Sequence, residues 1–136
     1  MIRHLVFALA LALSATGAWG DMYDDCKQSA DPDLRIRGCT QVIGRGEKET
    51  RKNITAAYYN RGSAYATKGE LDRAIANLSK AIALNPKYAD AYNNRGRAYE
   101  KMGDKEQAIA DYRKALEIDP SNQLAKNNLK RLGVTP

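Results

Sequence analysis

The chain has 136 residues, of which 22 are lysine or arginine and 16 are aspartate or glutamate, so its formal net charge is +6 at pH 7. It contains two cysteines and a single histidine, His4. With so few of these residues, and with neither a glycine-rich phosphate loop nor a nucleophile elbow, the sequence offers no familiar catalytic or metal-binding arrangement. We therefore expect no enzyme activity, no metal and no cofactor.

Residues 1–20 are typical of a secretory signal peptide. Arg3 gives a positive start, residues 5–13 are an uninterrupted apolar run, and residues 15–20 are mostly small. Cleavage after Gly20, or alternatively after Ala18, would also remove the histidine. A retained membrane anchor is the alternative interpretation, but the apolar run is short for a bilayer span. We expect an exported protein, periplasmic or secreted, without an integral membrane segment after cleavage.

Residues 21–52 are the least regular part of the chain. Residues 33–43 align without a gap with residues 72–82, which belong to the repeated unit described next. The alignment predicts a degenerate helical hairpin, with a short first helix over about residues 22–30. Glycines and charges then predict a solvated loop over residues 44–52. A disordered leader segment is the alternative.

Residues 55–88 and 89–122 are two copies of a 34-residue unit, and they are identical at 14 of 34 positions. Each copy has one apolar stripe at helical spacing, then a glycine (Gly69 or Gly103), and then a second apolar stripe that ends before a proline. Repetition at a fixed period is the signature of a stacked-repeat architecture. The copies therefore predict two helical hairpins packed side by side.

Residues 123–136 predict a capping helix and a short tail. Ser121 is the candidate N-cap, and Leu124, Ala125, Leu129 and Leu132 would cover the last repeat. Lysine, arginine and amide side chains would face water, as the end of a repeat stack requires.

The motif in both copies resembles the tetratricopeptide repeat. The first copy reads Tyr58-x-x-Arg61-Gly62-x-x-Tyr65, Ala74-x-x-x-Leu78, Pro86, and the second reads Tyr92-x-x-Arg95-Gly96-x-x-Tyr99, Ala108-x-x-x-Tyr112, Pro120. The resemblance implies an all-α repeat solenoid whose function is protein–protein interaction. The chain resembles, in particular, small exported bacterial proteins of this kind. Arginine stands at two positions where the motif usually has leucine, and we expect its stem to cover apolar surface with its head in water.

Cys26 and Cys39 favour one disulfide, because two cysteines in an exported chain usually pair. Aligned on the repeat, they fall at the positions of Tyr65 and Leu78, which face each other across a helical hairpin. A metal site is disfavoured by the lack of further ligands. A redox-active pair is disfavoured because the spacing is not that of a CxxC motif.

In tetratricopeptide proteins, one face of each first helix lines a concave groove. The resemblance places eleven residues in a peptide-binding groove here: Tyr59, Asn60, Ser63, Asp90, Asn93, Asn94, Arg97, Lys101, Asn127, Asn128 and Arg131. Family members that bind a C-terminal carboxylate have lysine and asparagine at the places of Tyr59 and Ser63. Recognition of such a carboxylate is therefore not supported.

Asn60, Asn94 and Asn128 are spaced by 34 residues, so they occupy one position on successive first helices. An asparagine side chain both donates and accepts, and it could hold the backbone of an extended peptide whatever its sequence. Alternatively, the three side chains bond between adjacent helices and stiffen the stack. The sequence leaves both interpretations open.

The function that we expect is an adaptor or scaffold that binds an extended peptide or a partner protein in the envelope. The alternatives are a self-associating structural module and a binder of the cell wall or another anionic surface. Nucleic acid is not expected, because basic residues are interleaved with acidic ones along the chain.

The expected signal peptide can be tested on exported protein isolated from its native source. Intact-mass spectrometry should give a chain that starts at Asp21 or Trp19, because the small residues before these positions suit signal cleavage. A chain on secreted material that still begins at Met1 would contradict this expectation.

Overall fold

A computed structural model describes residues 15–136. Within this range the chain forms seven α-helices and no strand: α1 Ala15–Gln28, α2 Pro32–Gly44, α3 Arg51–Thr67, α4 Leu71–Leu84, α5 Ala89–Lys101, α6 Lys105–Ile118 and α7 Gln123–Arg131. A short 3-10 helix, Gly46–Lys48, lies between α2 and α3. None of the helices in the described range is long and apolar enough to cross a membrane. Most of the predicted signal peptide, residues 1–14, lies outside the described residues.

Consecutive helices pack in pairs, and the pairs stack on one another. We call α1, α3, α5 and α7 the first helices and α2, α4 and α6 the second helices. The contacts of α1 with α2, α3 with α4, and α5 with α6 form three hairpins, while α2 against α3 and α4 against α5 join them. The predicted all-α repeat solenoid is confirmed.

The turns inside the two complete repeats follow from glycine. Gly69 and Gly103 have φ values of 76° and 85°, in the left-handed region that L side chains rarely adopt. The amide after each glycine donates across the turn, Glu70 to the carbonyl of Tyr65 and Asp104 to that of Tyr99, both at 2.9 Å. The predicted position of both glycines at a helix C-terminus is confirmed.

Within each repeat, the first helix approaches the second at a glycine. A Cβ atom on Gly62 would lie 2.8 Å from Cγ of Leu78, and one on Gly96 would lie 2.8 Å from Cε1 of Tyr112. Leu78 and Tyr112 are fully buried. The buried side of α3 and α5 is thus occupied by this contact, which leaves the opposite side of both helices to form a surface.

The two arginines at the unusual motif position donate hydrogen bonds to side chains of other helices. Arg95 donates from Nε and Nη2 to the carboxylate of Asp111, both at 2.8 Å, and from Nη1 to Oγ of Ser79 at 3.1 Å. Its side chain is 20% exposed and that of Asp111 is 6% exposed. The expectation of a solvated head is wrong, because the guanidinium instead connects its own repeat to the second helix of the repeat before it.

Arg61 makes the equivalent connection in the first repeat. It donates from Nε to Oδ1 of Asn77 at 2.7 Å and from Nη1 to Oγ1 of Thr40 at 3.1 Å. Its guanidinium lies 5.3 Å from the ring centroid of Tyr58, at the distance of a cation–π contact. Each complete repeat is therefore joined to the preceding hairpin by an arginine from its first helix.

The N-terminal hairpin α1–α2 replaces this polar link with apolar packing. Cys26 and Cys39 form the predicted disulfide, and both are buried. A Cβ atom on Gly38 would lie 2.7 Å from the backbone of α1, so the two helices meet closely here. Met22, at the position that corresponds to Arg61, is 3% exposed. The disulfide and this close contact hold the shortened hairpin together.

Several boundaries differ from the predicted ones. Within the described residues α1 spans Ala15–Gln28, whereas we expected a helix over about residues 22–30. The connecting loop is shorter than residues 44–52, because α3 already begins at Arg51, where the side chain of Thr50 accepts from the amide of Asn53. Thr50 is the N-cap of α3, and we did not predict it because the charged residues around it indicated a loop.

Helix α7 closes the stack. Its N-cap is Asn122 and not Ser121, since the side chain of Asn122 accepts from the amide of Ala125 at 3.0 Å. Lys126 and Lys130 stand where the complete repeats have a tyrosine and a glycine that face the second helix. These long cations would prevent a second helix from packing on α7 in the way that α4 and α6 pack on α3 and α5.

The disulfide should stabilise the N-terminal hairpin. It closes a loop of 14 residues, and the chain-entropy model assigns about 3 kcal/mol to a loop of this length. We expect the Cys26→Ser/Cys39→Ser variant to have a lower melting temperature by circular dichroism, with most of its helicity retained because α3 to α7 keep their own contacts. Two reactive thiols in native, unreduced protein would contradict the disulfide itself.

Candidate functional groove

The sides of α3, α5 and α7 that face away from the second helices form a continuous groove. Its first depression, about 160 Å³, lies between α3 and α5 and is lined by Ser63, Ala66, Thr67, Asn94, Arg97, Ala98 and Lys101. Its second depression, about 510 Å³, lies between α5 and α7 and is lined by Asn93, Arg97, Glu100, Lys101, Leu124, Asn128 and Arg131. Arg97 and Lys101 line both depressions, so we treat the two as one surface and call it the groove.

The groove is positively charged where its two depressions meet. Arg97 and Lys101 are exposed side chains one turn apart on α5, and no ion pair involves either of them within residues 15–136. The third cation, Arg131, is paired with Glu100, and its Nη2 lies 2.9 Å from Oε2 of that carboxylate. Two cations are therefore left to attract a negatively charged partner.

The asparagine column is used mainly between helices. Asn94 donates from Nδ2 to the hydroxyls of Tyr59 at 3.0 Å and Ser63 at 3.1 Å, which links α5 to α3. Asn128 donates to Oδ1 of Asn93 at 3.0 Å, which links α7 to α5. For Asn94 and Asn128, these bonds agree with the interpretation that the asparagines bond between adjacent helices and stiffen the stack. Their side-chain amide groups already have acceptors.

Not all the predicted groove residues line the two depressions. Asn60 is half-buried on α3, Asp90 is exposed at the start of α5, and the exposed Asn127 accepts from Nε2 of Gln123 on its own helix. Asn93 lines the second depression but is only 2% exposed, so its side chain supports the floor. Seven of the eleven predicted residues line a depression, and Tyr59 joins them through Asn94.

Glu100 is a groove residue that the sequence did not reveal. It accepts from Arg131 and also from the hydroxyl of the buried Tyr112, at 2.8 Å. The bond from Arg131, followed by that from Tyr112, lowers the pKa of the Glu100 carboxyl below its ordinary value of 4.5. Its partners lie 12 and 31 residues away, and one of them is on a different hairpin, so no local pattern indicates the contact.

An aromatic pair lies at the other end of the same face. The rings of Tyr59 and Tyr88 have centroids 4.8 Å apart. Burial, together with the nearby Tyr59 and Asp90, raises the pKa of Tyr88 to about 12, so its hydroxyl stays neutral at physiological pH. The face that carries the groove thus runs from an aromatic end beside Asp90 to the cations Arg97 and Lys101 in the groove.

The described residues contain no cluster of three or more histidine, cysteine, aspartate or glutamate side chains that could hold a metal ion. The groove itself offers amide, hydroxyl, guanidinium and ammonium groups on helices whose other sides are packed. Such a surface is suited to binding an extended ligand through hydrogen bonds and charge.

Family models match the repeated part of the chain. A model described as "Tetratricopeptide repeat" matches residues 89–122, and a second, described as "TPR repeat", matches residues 62–103. Residues 62–122 of the chain are therefore similar to the tetratricopeptide repeat. The first of these matches covers α5, its partner α6 and the turn that follows. A comparison with curated proteins gives no match.

Solved tetratricopeptide domains have a similar structure. The Arabidopsis OM64 TPR domain has a TM-score of 0.74 and 25% identity, over 88% of this chain and 94% of that one. The first TPR of Spaghetti (RPAP3), bound to an HSP90 peptide, has a TM-score of 0.73 and 26% identity, over 85% and 88% of the two chains. The MamA protein has a TM-score of 0.55 and 26% identity, over 88% and 84%.

The pairing of Glu100 with Arg131 and Tyr112 leads us to expect that the stability of the helical stack depends on pH. Because the pKa of Glu100 is lower in the folded chain than its ordinary value of 4.5, its contribution to stability is complete above that value and is lost as the pH falls through the folded-state pKa. We expect the melting temperature to decrease on acidification below about pH 4.5, and the Glu100→Gln variant to show a smaller decrease.

The measurement is a series of circular-dichroism melts from about pH 7 to about pH 3. Glu117→Gln is the matched control, since Glu117 lies on the exposed surface of α6 and pairs with Lys114 one turn away. If Glu100→Gln and Glu117→Gln change the acid response equally, the Glu100 pair has no special role.

Proposed function

We propose that this chain is a non-catalytic interaction module that holds an extended, acidic segment of a partner protein in the groove. The observation that carries the proposal is the position of Arg97 and Lys101, two exposed cations without an ion-pair partner in the described chain, at the centre of the groove. Tetratricopeptide domains with a similar structure have been solved with an HSP90 peptide and an HSP70 peptide.

The ligand differs from a chain end that is held by its terminal carboxylate. Tyr59 and Ser63 stand where members of the family that bind such ends have lysine and asparagine, and both hydroxyls here accept from Asn94. The positive charge that is free of an ion pair belongs to Arg97 and Lys101, near the C-terminal end of α5. Internal aspartate or glutamate side chains, presented by an extended backbone, are the groups that fit this arrangement.

We place this module outside the cytoplasm, as a small adaptor or scaffold in an envelope. The support is the signal-like start of the sequence and the buried disulfide between Cys26 and Cys39. Disulfides persist in oxidising compartments and are rare where thioredoxin and glutathione keep thiols reduced.

Charge reversal in the groove tests the proposal. The probe is a fluorescein-labelled nonapeptide of alternating glutamate and serine, with both ends blocked, and its binding is measured by fluorescence anisotropy. Arg97→Glu/Lys101→Glu should weaken binding by at least about tenfold, because a hydrogen bond to a charged group contributes about 1.5 kcal/mol or more. Raising the salt concentration should also weaken binding.

The matched control is Lys80→Glu/Arg113→Glu, which reverses two exposed cations on α4 and α6, away from the groove. This control should leave peptide binding within about twofold, since charges beyond a Debye length of roughly 10 Å are screened at 0.1 M salt. Equal losses in both variants, or equal binding to vesicles of anionic lipid, would instead favour a nonspecific anionic surface as the target. Concentration-dependent mass without any peptide binding would favour self-association.

A further inference from the structure

A third depression lies at the aromatic end of the face that carries the groove. It has a volume of about 490 Å³, and its apolar walls include Ala56, Leu84, Pro86 and Tyr88. We call it the apolar pocket. Arg51, at its rim, donates from Nε and Nη2 to the carbonyl of Leu84 at 3.1 and 3.0 Å. That arginine is thus engaged in holding the wall of the pocket.

The apolar pocket lies on the same side of α3 as the groove. Ala56, Ser63 and Thr67 recur at helical spacing on one side of α3, and they line the pocket and the first depression in turn. The ring of Tyr88 contacts the ring of Tyr59, whose hydroxyl accepts from Asn94 in the groove. A ligand can therefore contact both sites without leaving the surface.

Charge gives this surface a direction. Asp90 lies next to Tyr59 and Tyr88, where its negative charge disfavours a carboxylate. Arg97 and Lys101 lie two to three turns further along the same helix, where positive charge attracts one. The apolar walls of the pocket therefore select an apolar side chain, with the cations Arg51 and Lys52 also among the residues that line it, and the other end selects an acidic one.

The length of α5 sets the spacing between the two sites. Arg97 lies eight helical steps and Lys101 twelve helical steps from Ala89, which corresponds to roughly 12 and 18 Å at 1.5 Å per residue. An extended peptide covers about 3.3 Å per residue, so about four to six residues span these distances.

Building on the proposed function, we propose that the preferred ligand has a large apolar side chain in the apolar pocket and carboxylates about four to six residues away at Arg97 and Lys101. The proposal names a two-anchor peptide and excludes a uniformly acidic one as the best ligand. It also assigns a binding role to Tyr88 and Ala56, which lie outside the predicted groove residues.

The test uses blocked, fluorescein-labelled peptides that carry one leucine and two glutamates, separated by serine and glycine. The separation between leucine and the first glutamate is two, five or eight residues, and each peptide is made in both chain directions. In one of the two chain directions, the peptide with a separation of five residues should bind about tenfold more tightly than the same peptide with serine in place of leucine. This is the factor expected for burying most of a leucine side chain. The peptide with a separation of two residues should gain little affinity from its leucine, because it cannot reach both sites.

Two variants connect this gain to the pocket. Tyr88→Ala removes a wall and Ala56→Glu places a charge inside, so both should abolish the gain from leucine, measured for each variant as the ratio of its affinities for the leucine-containing and the leucine-free peptide. Tyr88→Phe keeps the ring and should keep the gain. Circular-dichroism melts check that each variant is folded. If Tyr88→Ala does not fold, Ala56→Glu alone provides the test of the pocket.

The possible outcomes separate this inference from the proposed function. If the leucine-free peptide binds through Arg97 and Lys101 but leucine adds no affinity at any separation, the proposal of a two-anchor ligand is wrong. The proposed function, binding of an acidic segment in the groove, then remains. The same holds if the pocket variants weaken both peptides equally. If no acidic peptide binds, the proposed function fails and this inference fails with it.

Discussion

The structure depends on the close contact between the first and second helix of each repeat. Gly62 lies against Leu78 and Gly96 against Tyr112, at distances that leave no room for a Cβ atom. Because this contact occupies one side of α3 and of α5, their opposite sides are left to face the groove. The positions of Ser63, Asn94 and Arg97 at the surface are therefore a consequence of how the helices pack.

Polar links then hold one repeat against the next. Arg61 and Arg95 each reach a side chain of their own second helix and a hydroxyl of the preceding one. An ion pair as buried as Arg95 with Asp111 contributes little net stability relative to apolar packing, but breaking it leaves an uncompensated charge. Such a link favours one relative placement of the hairpins, which keeps the depressions of the groove in a fixed arrangement.

The sequence was sufficient to predict the architecture but not the details of the groove. The 34-residue period and the glycines at positions 69 and 103 report local geometry, and the repeat alignment correctly paired Cys26 with Cys39. The partners of Arg61 and Arg95, and the pair of Glu100 with Arg131, join different helices, and no periodic pattern indicates them. The apolar pocket was likewise missed, because its walls come from α3, the end of α4 and the turn before α5.

We propose that a partner binds on the first helices and not on the second helices. Backbone amide chemical shifts, followed by NMR during titration with the glutamate–serine nonapeptide, test this claim most directly. We predict saturable shift changes at Ser63, Asn94, Arg97 and Lys101, with the exposed side of α4 and α6 unaffected. Shift changes concentrated at Lys80 and Arg113, or spread evenly over all basic residues, would contradict the account.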